Sequence, residues 1–292
     1  MSGIFSKKPH NVVFVKAFLS AILLVVVASC VQTEKTPERV VQEPENIVID
    51  TAGIKQEKEE VKSNKRNIYL TFDDGPNKGT ENLLKVINRR KVPVTAFVVG
   101  KHVYGSKSQM EDFESLLNDT LIELANHSYS HAGNKYSKFY KDSEVVLLDF
   151  NQCRDSLNFK NNYTRLPGRN IWRTADISVT DIKSSDSAAN HLFKSGYKII
   201  GWDLEWKPDG KMALKGTHQE MMKKIDSVFF NDLEKTSRNL IFLTHDQYLR
   251  DDDSVKELEL FIKKLQDSGR FEFKKLSAYP GIGKNQESVV YN

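Results

Sequence analysis

The chain has 292 residues, with 43 Lys and Arg against 39 Asp and Glu, a formal net charge of +4 and only two cysteines. That length can bury a full core, and 39 % hydrophobic with 28 % charged residues excludes collagen-like, wholly disordered and multi-span membrane chains. A charge of +4 spread so thinly lacks the concentrated basic patch of a nucleic-acid binder, and two cysteines build no disulfide scaffold.

The chain opens with Lys7, Lys8 and Lys16, then an apolar run from Ala17 to Ala28. Such a run falls short of the roughly 20 residues that span a bilayer and fits the h-region of an export signal. Its ending, Val27-Ala28-Ser29-Cys30, resembles a bacterial lipobox, in which cleavage precedes a cysteine that is then acylated. Residues 1–29 are therefore expected to be a signal peptide and Cys30 a lipid anchor, with an uncleaved signal anchor as the alternative. From 30 to 64 the composition turns to Glu, Lys, Gln, Thr and Pro with no aromatic residue. Such a segment cannot bury enough apolar surface to offset its ordering entropy, so a flexible tether is expected, with Asn46–Asp50 as a minor strand candidate.

From Lys65 the pattern alternates. A strand is predicted at Ile68–Phe72, a helix at Thr80–Arg90 capped by Thr80, and a strand at Val94–Val99. A helix near Gln109–Leu117, a strand at Leu121–Ala125, a helix at Asp142–Leu157 and a short strand near Thr164 follow. Next come a helix at Asp186–Lys194, a strand at Lys198–Trp202 and a helix at His218–Leu233. A strand at Leu240–Thr244, a helix at Ser254–Gln266 and a strand at Phe271–Lys275 complete the series. Strands alternating with helices argue for an α/β fold of parallel βα units. About seven units point to a closed or nearly closed barrel, with a doubly wound open sheet second.

Catalytic groups of a βα barrel come from the C-terminal ends of its strands. Directly after the first strand stand Asp73 and Asp74. Adjacent carboxylates repel, and a nearby cation would stabilise both ionised forms; acids capping an Asp-Gly-Pro turn are an equal alternative. After Leu121–Ala125 stand His127 and His131, four apart on one side of a helical turn. With a carboxylate from another strand they would complete a facial set of two histidines and one carboxylate, although a chance pairing at this spacing is common.

Five stretches, TFDDGP (71–76), HSYSH (127–131), RLPG (165–168), Glu205-Trp206 and Leu243-Thr244-His245, resemble the ordered motifs of the polysaccharide deacetylase family over about residues 65 to 276. That family includes peptidoglycan, chitin and chitooligosaccharide deacetylases. The resemblance implies a distorted (β/α) barrel forming a single catalytic domain over 65–292, a divalent metal, and hydrolysis of N- or O-acetyl groups on an envelope or extracellular polysaccharide. It casts Asp73 as catalytic base and Asp74, His127 and His131 as metal ligands. By the same token His245 is the general acid, and Arg165 orients the base. Gly168 is implied to bind the oxyanion through its main-chain N–H, at a position where many members carry Tyr or Phe; Trp172 is a candidate to replace that aromatic wall. Trp206 matches a wall tryptophan and Leu243 a residue lining the acetyl pocket. Glu205 aligns with an acid orienting His245, and Asp203 is the alternative, since both fall on one side of a strand. Ala132 departs from a common proline.

Zinc heads the metals this donor set suits, with cobalt, manganese or iron also fitting. The expected partners are the acetylated polysaccharide and a membrane through the lipid anchor, with no nucleic acid, in a monomer. An O-acetyl xylan esterase or other amide hydrolase is the alternative enzyme. A silent carbohydrate-binding barrel is the non-enzymatic one, disfavoured because a binder needs none of Asp73, Asp74, His127, His131 and His245. Cys153 is left as a lone thiol.

Overall fold

A computed structural model describes residues 64–282; the expected signal peptide, Cys30, nearly all of the tether and Asn46–Asp50 lie outside the described residues. The chain order is β1 (Arg66–Gly75), α1 (Thr80–Arg90), β2 (Val94–Val98), α2 (Gly100–Val103), α3 (Lys107–Asn118) and β3 (Ile122–Asn126). Then come α4 (Tyr136–Phe139), α5 (Ser143–Leu157), β4 (Tyr163–Thr164), β5 (Trp172–Arg173), β6 (Ser178–Val179) and α6 (Asp186–Lys194). The last elements are β7 (Lys198–Ile199), β8 (Leu204–Glu205), α7 (His218–Phe230), β9 (Asn239–His245), α8 (Asp252–Asp267) and β10 (Phe271–Phe273). One sheet runs β6-β5-β7-β4-β3-β2-β1-β9-β8, with β10 also on β1. It curls into a half-barrel whose path ends at β6 and β8, so the expected distorted (β/α) barrel is an incompletely closed one. Pairing is parallel except around β5, which runs antiparallel to both β6 and β7.

Strand period sets which face each side chain takes. On β1, Ile68, Leu70 and Phe72 join Val94, Ala96, Leu240 and Phe242 in a core beneath α1 and α8, with Leu83, Ile87 and Phe261. The alternate positions Tyr69, Phe97, Ala125 and Ile241 join Trp172 and Tyr279 inside the curl. Continuing that inner register, by two residues from Ala125 and by four from Tyr69 and Ile241, reaches His127, Asp73 and His245.

Helix starts follow capping chemistry. Ser106, Asp142 and Asp251 accept backbone N–H groups at the heads of α3, α5 and α8, and Thr217 with Glu220 forms a capping box on α7. Thr80 is not the cap expected of it. It is the first residue of α1, and its hydroxyl accepts from Asn77 N at 2.7 Å and donates to the buried Asp246 carboxylate. Gly79 is required beside it, because a Cβ there would lie 1.8 Å from the Asp246 carbonyl oxygen.

The strand predicted over Lys198–Trp202 stops at Ile199, because the carbonyls of Ile200 and Gly201 turn to accept from the Arg165 guanidinium. The two-residue strands β5, β6 and β8 carry too little periodicity to be predicted. Cys153 is a buried free thiol, pushed up to about 12 by burial.

Two tryptophans expected near substrate are core residues. Trp206 is fully buried, edge-on to Phe261 at 5.5 Å and Phe242 at 6.5 Å, with its indole N–H donating to Lys215 O at 2.8 Å. Trp172 is equally buried, tilted against Tyr279 with centroids 5.9 Å apart. Parity turns the Trp206 ring into the helix-side core, whereas Trp172 is buried on the inner face with Tyr69, Phe97 and Ile241. Trp206→Ala should therefore cost about 3–5 kcal/mol of stability in urea unfolding; a loss below about 1 kcal/mol would contradict the core placement.

Candidate active site

Successive strand residues face opposite sides, yet Asp73 and Asp74 both line one cavity of about 380 Å³ at the C-terminal ends of the central strands. The β1–β2 register shifts between Asp73 and Gly75, and Asp74 takes a left-handed φ of 75°. This bulge re-aims the second carboxylate. The two acids are thereby given different neighbours.

Asp73 Oδ1 accepts from Arg165 Nη1 at 2.8 Å, and both side chains are almost wholly buried. Three further guanidinium N–H groups are also bonded. Nη1 donates to Thr71 Oγ1 at 2.9 Å, Nε to Ile200 O at 3.1 Å and Nη2 to Gly201 O at 2.8 Å. Phe97 lies beneath it with its ring centre 4.2 Å away. Burial pulls the Arg165 guanidinium down from its ordinary value, and Asp73 opposes that pull. A charge this deep persists only with such partners.

His127 and His131 sit on the loop after β3 rather than on the expected helical turn: Ser128 and His131 have φ of 67° and 52°. Asp149 on α5 holds this loop, accepting from Tyr129 N at 3.0 Å and Ser130 N at 3.2 Å. Oxygen acceptors set both tautomers. His127 Nδ1 lies 2.9 Å from Arg165 O and His131 Nδ1 lies 3.3 Å from Asn134 Oδ1, so each Nδ1 carries the proton. The two Nε2 atoms point to Asp74 Oδ1, at 3.4 and 3.0 Å. That oxygen is buried and makes no hydrogen bond. Burial pushes the Asp74 carboxyl up, and the adjoining imidazoles, when protonated at Nε2 as well, outweigh it and hold it well below the usual carboxylate range. Ligand atoms of Asp74, His127 and His131 all lie within 4.8 Å of one another. A divalent cation fits these donors, since one orphaned oxygen and two imidazole nitrogens converge on one point.

The remaining predicted residues divide. His245, Leu243, Gly168 and Glu205 line the same cavity. His245 stacks obliquely on Tyr248 with ring centres 4.8 Å apart, and its Nδ1 is buried without a hydrogen-bond partner. Neither carboxylate expected to orient it does so here. Asp203 faces away, accepting from Lys235 N and Ile241 N at 2.8 Å each, and burial pushes it up to about 6. Trp206 and Trp172 contribute nothing to the lining; Trp202, Tyr136, Asp181, Gln247 and Tyr248 do. Tyr136 fills the space beside Gly168, whose φ is +64° and whose added Cβ would meet that ring at 3.2 Å. Sequence reasoning missed Tyr136, Trp202 and Gln247. Their only signal was proximity to the motifs in the chain.

A family model described as polysaccharide deacetylase matches residues 60–174. A chitin disaccharide deacetylase of Vibrio alginolyticus is 25 % identical over 50 % of this chain and 48 % of its own length. A chitooligosaccharide deacetylase of Rhizobium leguminosarum bv. trifolii is 42 % identical over 34 % and 43 %. The chain thus spans about half the length of these curated relatives. A peptidoglycan-N-acetylglucosamine deacetylase of Bacillus cereus is 23 % identical over 83 % of both chains. The polysaccharide deacetylase family is supported. Among solved structures, a family 4 carbohydrate esterase of Streptococcus mutans aligns with a TM-score of 0.54 at 21 % identity, over 74 % of this chain and 90 % of that one. The catalytic domain of a peptidoglycan N-acetylglucosamine deacetylase of Eubacterium rectale gives 0.52 at 23 %, over 73 % and 90 %. Both show the same fold.

The deacetylase family match ends at residue 174, so Glu205, Leu243 and His245 lie beyond it and join the site through the cavity alone. Within the matched part, Arg165 is wholly buried against the buried Asp73. Arg165→Met should destabilise the protein by about 3–5 kcal/mol by leaving Asp73 buried without its partner, measured by urea unfolding; a variant as stable as the parent would refute the ion pair as a structural constraint.

Proposed function

We propose that this chain is a metal-dependent hydrolase removing N-acetyl groups from an envelope or extracellular polysaccharide of the peptidoglycan or chitin type. The observation that carries this reading is one cavity combining three convergent metal donors, a separate carboxylate fixed by a buried arginine, and an imidazole. The printed activities of the relatives from Vibrio, Rhizobium and Bacillus support it.

The roles follow from what each group is free to do. Arg165 occupies Asp73 Oδ1, which leaves Oδ2, 3.7 Å from His127 Nε2, to take the proton from the attacking water. Asp74 Oδ1 and the two Nε2 atoms would hold the divalent metal, which supplies Lewis acidity toward the acetyl carbonyl and lowers the pKa of water. By ligand type zinc is the first choice, and cobalt, manganese and iron also fit. His245 gives its proton to the leaving nitrogen as the carbon–nitrogen bond breaks, so amide and water become acetate and amine. The main-chain N–H at Gly168 faces the oxyanion, and Leu243 packs against the acetyl methyl. Glu205, on the cavity wall, is the carboxylate left to orient His245, since Asp203 faces away. Export and acylation at Cys30 belong to the same proposal, resting on the basic start, the apolar run and the Val27–Cys30 ending; palmitate labelling abolished by Cys30→Ser is the expected result.

Acetate release should be measured on chitooligosaccharide, peptidoglycan and acetylated xylan with zinc or cobalt present. Asp73→Asn should lower turnover by about 10²–10⁴-fold with metal still bound, and His127→Ala should lose the metal. Acetate release undiminished in Asp73→Asn would remove Asp73 as the base, and activity confined to acetylated xylan would overturn the N-acetyl substrate.

A further inference from the structure

Asp74 presents two oxygens in unlike surroundings. Oδ1 faces the Nε2 atoms of His127 and His131 and has no hydrogen bond, whereas Oδ2 accepts from Gln247 Nε2 at 2.8 Å. A carboxylate accepts only, so the amide must turn its NH2 group to it. We infer that Gln247 is a positioning residue that ties off Asp74 Oδ2 and reserves Oδ1 for the metal. The inference rests on the metal reading above and adds to it a residue outside the five motif stretches.

Three further contacts make this more than a surface hydrogen bond. Gln247 follows β9 in a short turn, Asp246–Tyr248, and the buried Asp246 is fixed to α1 by Thr80 and to the β1–α1 loop by Asn77. The amide is thus delivered from a rigid base. Asp74 is held at its backbone as well, its carbonyl oxygen accepting from His102 Nδ1 at 2.7 Å while φ stays at 75°. With the main chain fixed, the remaining freedom is rotation of the carboxylate, and Gln247 restrains it. The third contact is a competitor. His245 Nε2 lies 3.8 Å from Oδ2. Without the amide, that oxygen is open to the His245 N–H, and a small rotation would draw the carboxylate from the histidine pair. Outer partners of this kind fix a ligand's orientation and are worth about 10–100-fold in metal affinity.

The test is zinc affinity of the parent, Gln247→Met and Gln247→Leu, by competition with a chelator of known affinity. Both variants remove the donor at nearly constant volume on a partly exposed side chain. The expected result is a 10–100-fold weaker zinc affinity in both, a changed visible spectrum of the cobalt-loaded proteins, and metal-free proteins that melt where the parent does. Zinc affinity within about twofold of the parent in both variants overturns the role of Gln247 and leaves the metal reading intact. No zinc binding by the parent overturns the metal reading, and this inference with it.

Discussion

Arg165 is the constraint on which the rest of the site depends. Its guanidinium, wholly buried, joins Thr71 and Asp73 on β1 to the carbonyls of Ile200 and Gly201 beyond β7. Its own carbonyl receives His127 Nδ1. One residue therefore fixes the proposed base and the tautomer of a proposed metal ligand, and ties the two halves of an unclosed sheet across the inside of the curl. A lysine has neither the planar fork nor the five donors to do this. Taking such a charge out of water is unfavourable by itself, and every donor the hydrogen-bond network shows has found a carbonyl, a hydroxyl or a carboxylate.

The second constraint is the bulge at Asp74. In a regular strand one of two adjacent carboxylates would point into the helix-side core. The left-handed backbone at Asp74 brings both into the cavity while keeping them in separate environments. Asp73 is committed to a cation within the protein, and Asp74 to a pair of imidazoles with an oxygen to spare. Equal residues in sequence acquire unequal chemistry from their partners.

Aromatic surface near the site has been redistributed. Gly168 supplies main chain without a side chain, and Tyr136, from the helix after the histidine loop, stands in the space an aromatic residue at 168 would need. Its ring also lies edge-on to His131, 5.8 Å between centres. Trp202 lines the cavity, while Trp206 and Trp172 stabilise the fold from within. The groove wall is thus contributed by segments that the motif order does not join.

The longer strands and helices, and the placing of Asp73, Asp74, His127, His131 and His245 at or just after strand ends, were legible in the sequence because periodicity is local. Capping was not read as well: Thr80, the one cap expected, is the first residue of α1, while Ser106, Asp142, Asp251 and Thr217 cap the helices that follow them. What only tertiary structure decided is every assignment that depends on partners far along the chain. Arg165 meets Asp73 across 92 residues, and Gln247 meets Asp74 across 173. Asp203 and Glu205 stand two apart and were indistinguishable by spacing, until backbone N–H groups of Lys235 and Ile241 claimed the first. Trp206 was misplaced for a like reason: beside a motif acid, parity turns its ring to Phe242 and Phe261. A side chain's type is written in the chain, but its partner is chosen by the curl of the sheet.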